Sequence, residues 1–285
     1  MSDTLPKVLG GLQPTQRDGR DFKLGNVTKF PSLKELPVFF DLGEKQLVNQ
    51  IGDFCTGAAT CAASALQEGV PLSWKYSMAL SKELTGDPNS WGQQIRPAML
   101  THVKMGAIEL DESPYEENDT VSFLRNIKNW PNHLKILARK HMKKSVFFVN
   151  GPYDHYDNIR ASLWKFRKEK RAVVSGVIWN WNISDEMLDE YKEKGTGHCI
   201  LYRGFTEKGL IMQNSYGRKA GHNGFHIVGR EVVNRNFEHF DGAMFIDINK
   251  EEAKFLHENR LPLWMEPLVR LYNIIRSYIK DYAGR

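Results

Sequence analysis

The rhythm of hydrophobic and polar positions changes near the middle of this chain. Before residue 144, apolar residues recur at three- and four-residue intervals, which predicts helices from Cys55 to about 68 and near 72–84, 93–105, 120–129 and 132–142. Ala dominates the first of these, "CTGAATCAASALQEG", and Gly69 stands where a C-terminal cap belongs. After Lys144 the texture turns to short β-branched and aromatic runs: "SVFFV", "AVVSGVIWNW", "HCILYRGF", "GLIMQNS", "GFHIV" and "AMFIDI". One helix, about 155–169, interrupts them. Helices first and strands second predict an α+β fold of two lobes, with a mainly helical lobe over 36–144 and a mainly antiparallel, barrel-like β lobe over 145–250. A cleft between such lobes is where a site is expected.

Two terminal segments fall outside this pattern. Residues 1–35 are polar, rich in Gly, Pro and Lys and without periodicity, which reads as an extended arm or short leader. Residues 251–285 read as a C-terminal amphipathic helix, with Leu268, Leu271, Tyr272, Ile275, Tyr278, Ile279 and Tyr282 on one face and Arg270, Arg276 and Lys280 on others. Such a helix packs on its own domain or docks on a partner protein or a second copy.

Composition narrows the class. With 285 residues, 41% of them hydrophobic, the chain can bury a full core. No apolar run reaches the roughly 18 residues of a membrane span, and the N-terminus lacks the apolar segment of a signal peptide, so a cytoplasmic location is expected. Three cysteines make a disulfide framework improbable and a free thiol certain in a reducing compartment. The net charge of +5 is mild, and the basic stretches "RNIKNWPNHLKILARKHMKK" and "RASLWKFRKEKRA" carry apolar residues at helical spacing. They read as solvated helix faces, and no nucleic-acid partner is expected.

Candidate chemistry centres on one cysteine. A nucleophilic thiol needs a base to take its proton and a third group to orient the base. Cys55 opens a predicted helix, whose unpaired N–H groups favour thiolate. His198 opens one predicted strand and Asn214 ends the next, so antiparallel pairing can bring them together. Cys61, six residues along the helix from Cys55, reads as packing, as does Cys199. His222 and His226 flank a turn, but no pair matches a zinc motif and their roles read as structural. No metal and no cofactor are expected.

Four blocks, in order, resemble the papain-like cysteine peptidases: "VNQIGDFCTGAA", "GAIELDESPY", "GHCILYRGF" and "QNSYGRKAGHNGFHIV". The resemblance spans about 36–248. It implies a papain-like two-lobe fold with Cys55 as nucleophile, His198 as base, Asn214 as its orienting group and Gln50 as oxyanion donor. It also implies that Gly92, with Trp91 in "NSWGQQIR", lines the substrate cleft and pairs with an extended peptide. Cys55 to His198 is 198 − 55 = 143 positions, inside the roughly 130–150 typical of such enzymes. The chain departs from the family in three places: Gln50 lies five positions before Cys55, one fewer than usual; Thr56 follows the cysteine in place of an aromatic; and Tyr216 stands where tryptophan is common. The implied activity is hydrolysis of peptide or protein substrates. The same triad also suits an amidase or cell-wall hydrolase, and a scaffold that keeps the fold without activity is a third reading.

Overall fold

The computed structural model describes residues 11–15, 18–19, 21–115, 119–248, 250–259 and 261–283, with side chains at 250, 253 and 276–283 outside the description. At its centre is helix α1 (Cys55–Glu68), buried on nearly every face from Cys55 to Leu66. Small side chains make that burial possible. Gly57 lies so close to helix α2 (Trp74–Thr85) that a Cβ there would strike the Trp74 carbonyl, and Ala59, Ala62 and Ala63 face the sheet. Gly69 ends α1 in the left-handed conformation at φ 79°, as its position predicted.

Helix α3 (Ile95–Lys104) packs on α1 and α2, and α4 (Val121–Arg125) and α5 (Leu134–Ala138) complete the helical lobe. The last two are shorter than their patterns suggest. Each gives way to a 3₁₀ turn, at Ile127–Asn129 and Arg139–His141. Tyr76, Tyr115 and Trp130 meet edge to face beneath these short helices.

The second half forms one sheet in the order β2 (Ser145–Phe148), β8 (Ala243–Ile246), β3 (Val173–Trp179), β5 (Thr196–Phe205), β6 (Leu210–Gln213), β7 (Phe225–Val228), β4 (Met187–Leu188), with β1 (Phe40–Asp41) added to β5. Pairing is antiparallel except between β4 and β7. Helix α6 (His155–Lys165) packs on β5 and on α7 (Arg230–Asn236), a helix that its short pattern "REVVNRN" did not announce. The two-residue strands β1 and β4 were equally invisible, because partners distant in sequence define them.

The tail departs from the expectation of one helix over 251–285. It is two helices, α8 (Lys250–Glu258) and α9 (Glu266–Ala283), separated by a 3₁₀ turn at Leu263–Met265. Pro262 accounts for the break, since it lacks an N–H and steers Leu261 out of the helical region. Val269 is buried, Arg270 pairs with Glu252 at 3.2 Å and Tyr272 rests on Phe255, so the start of α9 packs on α8. Leu268, Leu271, Ile274 and Ile275 are about half exposed. Tyr278, Ile279, Tyr282, Arg276 and Lys280 have side chains outside the described residues. Among the described residues no helix is long and apolar enough to cross a membrane.

Candidate active site

Cys55 is the first residue of α1, and no side chain caps that helix start. The first-turn N–H groups therefore face the thiol instead of a capping oxygen. Burial pushes the Cys55 thiol up to about 12, with a smaller upward push from the Asp53 carboxylate, while backbone N–H groups of Cys199, Thr56 and Gly11 pull it down. The Cys199 N–H places the sulfur against β5, one residue beyond His198. Packing of α1 across β3 and β5 thus joins the two lobes at the cysteine.

His198 is fully buried, and its Nε2 lies 2.9 Å from the Asn214 side-chain oxygen. That oxygen also accepts the Ser215 backbone N–H at 2.7 Å. His198 Nδ1 has no hydrogen-bond partner among the described residues. Burial pushes the imidazole down to about 4; the bond to Asn214 raises it and the His226 ring lowers it. The Tyr216 ring stacks on His198 at 4.5 Å and 16°, and Trp179 stands edge-on to His198, Tyr216 and His226. Tyr216 therefore covers the imidazole face. The Asn214 Nδ2 donates toward His226 Nε2, 2.9 Å away.

Gln50 joins the same block. Its backbone N–H donates to the Ser215 carbonyl at 2.7 Å, its side-chain oxygen accepts the Ser215 hydroxyl, and its Nε2 donates to the Gly52 carbonyl at 3.0 Å. Asn49 bridges to Tyr216 beside it. The short loop from Gln50 to Cys55 is thereby fastened to the Asn214 segment.

Gly92 and Trp91 line the opposite edge, where a buried charge network holds the loop. Asp53, fully buried two residues before the thiol, accepts the Gly92 N–H on one carboxylate oxygen and the Arg125 guanidinium on the other. The Lys82 ammonium, also buried, donates to the Ser90 and Gly92 carbonyls and the Ser90 hydroxyl, and Arg125 lies over the Trp91 ring at 5.1 Å. Burial pushes Lys82 down to about 8, with Asp53 pulling the other way. Neither the clamp nor His226 and Trp179 were identified from sequence; the available hint for the clamp was a charged residue, Asp53, amid the small and apolar residues of "IGDFCTGAA".

The cleft between these edges is occupied by the chain's own N-terminal segment. Gly11 and Leu12 donate their N–H groups to the Gly197 carbonyl at 3.0 and 2.9 Å. The Gly11 carbonyl accepts from Gln93 at 2.6 Å, the Gln13 N–H returns to Gln93 at 3.2 Å, and the Gln13 side chain reaches the Trp91 carbonyl at 2.8 Å. Leu12 is buried among Cys55, Ile95 and Phe240. Glycines make room: a Cβ on Gly92 would strike the Gly11 carbonyl, one on Gly197 the Leu12 carbonyl, and one on Gly176 the Leu12 side chain. Gly92 has φ +68°, a second reason for glycine there. An open cavity of about 310 Å³ lies elsewhere, beside Leu36, Val38 and Lys208, and the Arg160 and Arg230 of its wall are already paired with Asp154 and Asp157. No group of three or more potential metal ligands gathers among the described residues.

Comparison with solved structures decides the fold. Xylellain, a cysteine protease from Xylella fastidiosa, superposes with a TM-score of 0.69 at 16% identity, covering 87% of this chain and 100% of that one. The fold is papain-like. The bromelain protease from Ananas comosus, in complex with the E64 inhibitor, gives a TM-score of 0.54 at 15% identity over 73% of this chain and 98% of its own. Procathepsin L 3 from the larval midgut of Tenebrio molitor gives 0.59 at 14% identity over 83% and 76%. No protein-family model and no curated protein sequence matches the chain. The two-lobe α+β architecture expected from the sequence is thus the architecture observed.

Proposed function

We propose that this protein is a cysteine peptidase that hydrolyses peptide bonds by a Cys-His-Asn mechanism and is held latent by its N-terminal segment. The observation that carries the reading is an oriented imidazole with one nitrogen left over: His198 Nε2 is engaged by Asn214, Nδ1 has no partner among the described residues, and the next residue along β5, Cys199, turns its backbone N–H to the thiol at the uncapped helix start. His198 takes the Cys55 proton through Nδ1, the thiolate attacks the carbonyl carbon, and the developing oxyanion is met by the Cys55 N–H and by the Gln50 amide hydrogen not committed to Gly52. Loss of one such donor typically costs about 3 kcal/mol in the transition state. His198 then protonates the departing amine, and water releases the acyl group from Cys55.

The substrate peptide takes the place of residues 11–13, pairing with Gln93 on one edge and Gly197 on the other. Until those residues leave, the buried thiol and imidazole both stay neutral, the one raised to about 12 and the other lowered to about 4. Water entering the emptied cleft relaxes both values toward the thiolate–imidazolium pair. Residues 11–13 thus block the cleft, while Leu24, Val27 and Phe30 of the same expected arm are built into the core of the peptidase domain; 251–285 is an appended helical element.

The test uses the full chain carrying Leu12→Glu, which forces a charge into the apolar pocket and displaces the arm. Labelling of Cys55 by an epoxide thiol inhibitor should accelerate about tenfold or more, a shift of roughly 1.4 kcal/mol in the arm's opening equilibrium. Cleavage of a denatured protein should appear with it and vanish in Leu12→Glu/Cys55→Ala. Labelling and cleavage at the wild-type rate would overturn the latency, and cleavage that survives Cys55→Ala would overturn the mechanism.

A further inference from the structure

We propose that His226 is a positioning residue of this site: by accepting the Asn214 amide N–H it fixes which end of that amide faces His198, and so which nitrogen of His198 carries the proton. The inference rests on the peptidase reading for its kinetic consequence and on hydrogen-bond complementarity for its geometry. His226 Nδ1 is in hydrogen-bond contact with the Asp185 backbone carbonyl. A carbonyl only accepts, so Nδ1 carries the proton, and in the neutral ring Nε2 is then an acceptor. The group 2.9 Å from Nε2 is Asn214 Nδ2, which donates. The Asn214 oxygen must then face the other way, where it meets His198 Nε2 at 2.9 Å and the Ser215 N–H at 2.7 Å. An acceptor there obliges His198 Nε2 to carry the proton and leaves the Nδ1 lone pair free for Cys55.

Every link is buried, so water does not compete for the donors and acceptors. His226 is 1% exposed, Asn214 2% and His198 0%. Trp179 stands edge-on to both imidazoles, and a Cβ at Gly221 would collide with the His226 ring, so the ring is held from two sides. Burial lowers the His226 pKa, which keeps it in the neutral, accepting form, although the Asp185 carbonyl and carboxylate act in the opposite sense. Strand pairing supplies the geometry: β6 and β7 align Gln213 with Phe225 and Met212 with His226, setting His226 under the end of β6 where Asn214 begins the loop.

Three full-length chains test this: wild type, His226→Phe, which keeps a ring but offers no acceptor, and His226→Gln, whose side-chain oxygen can replace Nε2. All are compared in the Leu12→Glu background for kinetics and without it for spectroscopy. Nitrogen-15 NMR of histidine-labelled wild type should show His198 protonated at Nε2 and His226 at Nδ1. In His226→Phe, kcat should fall about tenfold to a hundredfold with KM within about twofold, the range seen when an outer partner of a functional histidine is lost. Alkylation of Cys55 should slow by a similar factor, and the His198 Nε2 proton should broaden or move. His226→Gln should return kcat to within about threefold of wild type, by the same outer-partner logic. A His226 protonated at Nε2 in the wild type overturns the inference even if His226→Phe fails to fold. So does a His226→Phe chain with an unshifted His198 proton and unchanged alkylation. If Cys55→Ala abolishes no activity, the peptidase reading fails, but the NMR result still decides the placement of the protons.

Discussion

Helix α1 carries two cysteines, and their surroundings differ. Cys55 meets the backbone N–H of Cys199, next to His198 in β5; Cys61 lies 4.0 Å from His102 Nε2, which in turn meets the Ser77 hydroxyl at 2.7 Å. Both thiols are buried and both are pushed up to about 12 by burial. The proposed mechanism nevertheless assigns reactivity to Cys55 alone. Cys55 starts the helix and packs in one cluster with Leu12 of the cleft-filling segment, whereas Cys61 sits in the helix body beneath α2 and α3. At His198 Nε2 is anchored by Asn214, and Nδ1 has no partner among the described residues. At His102 the nitrogen nearest the cysteine is shared with Ser77, and Nδ1 has no partner among the described residues. The two thiols thus differ in their position along α1, and the two imidazoles in which nitrogen is held.

The sharpest way to break this comparison is to remove each sulfur in turn. In the Leu12→Glu background, Cys55→Ala should lower peptide hydrolysis by about 10⁴-fold or more, as loss of a nucleophile does. Cys61→Ala should leave hydrolysis within about twofold and cost about 1 kcal/mol of stability by chemical denaturation, the usual scale for a small core truncation. Equal losses from the two substitutions would show that the pairs are not distinct.

Next in size is Asp53→Asn, which leaves Arg125 and Lys82 buried without their carboxylate. Breaking such a buried pair should cost about 3–5 kcal/mol, read from denaturant midpoints. It should also loosen residues 87–93, seen as faster amide exchange at Gly92 and Gln93, without changing the Ser77–His102 region. A stability change below about 0.5 kcal/mol would show that the clamp does not hold the cleft edge.

Acid should expose the two histidines together. In the folded chain His198 titrates at about 4 and His102 at about 3, against 6.5 when unfolded. Below 6.5 the unfolded state binds protons that the folded state refuses, so stability held at neutral pH is lost as pH falls toward 4 and then 3. His198 alone should account for about 3 kcal/mol of this loss. Asp21, raised to about 6 chiefly by burial, works in the opposite direction between about 4 and 6, but it is less buried and its contribution is smaller. His198→Gln should flatten the upper part of the decline, and a profile unchanged by that substitution would refute the assignment.

Much of this architecture was legible in the residues because its signals are local. The alanines after Cys55 read as a buried helix, Gly69 as its end, and the six β-branched runs as strands, and each appears where periodicity placed it. The order Gln50, Cys55, His198, Asn214, on which the proposed mechanism rests, was read from a few residue types at characteristic spacing. What escaped notice depends on distant partners. Nothing near Leu12 announces that it lies between Gly92 and Gly197, and nothing near His226 marks it as the neighbour of Asn214 instead of a turn residue.

By itself, then, the chain specified most of its helices, most of its strands and a thiol, an imidazole and an amide as candidates, because hydrophobic period and side-chain chemistry are properties of short stretches. The tertiary structure decided which end of each amide and imidazole faces its neighbour, and that the cleft is filled by the protein's own residues 11–13. Those outcomes depend on hydrogen-bond complementarity and steric fit between segments as much as 186 positions apart, the separation of Gly11 and Gly197. Such complementarity exists only once the segments have met.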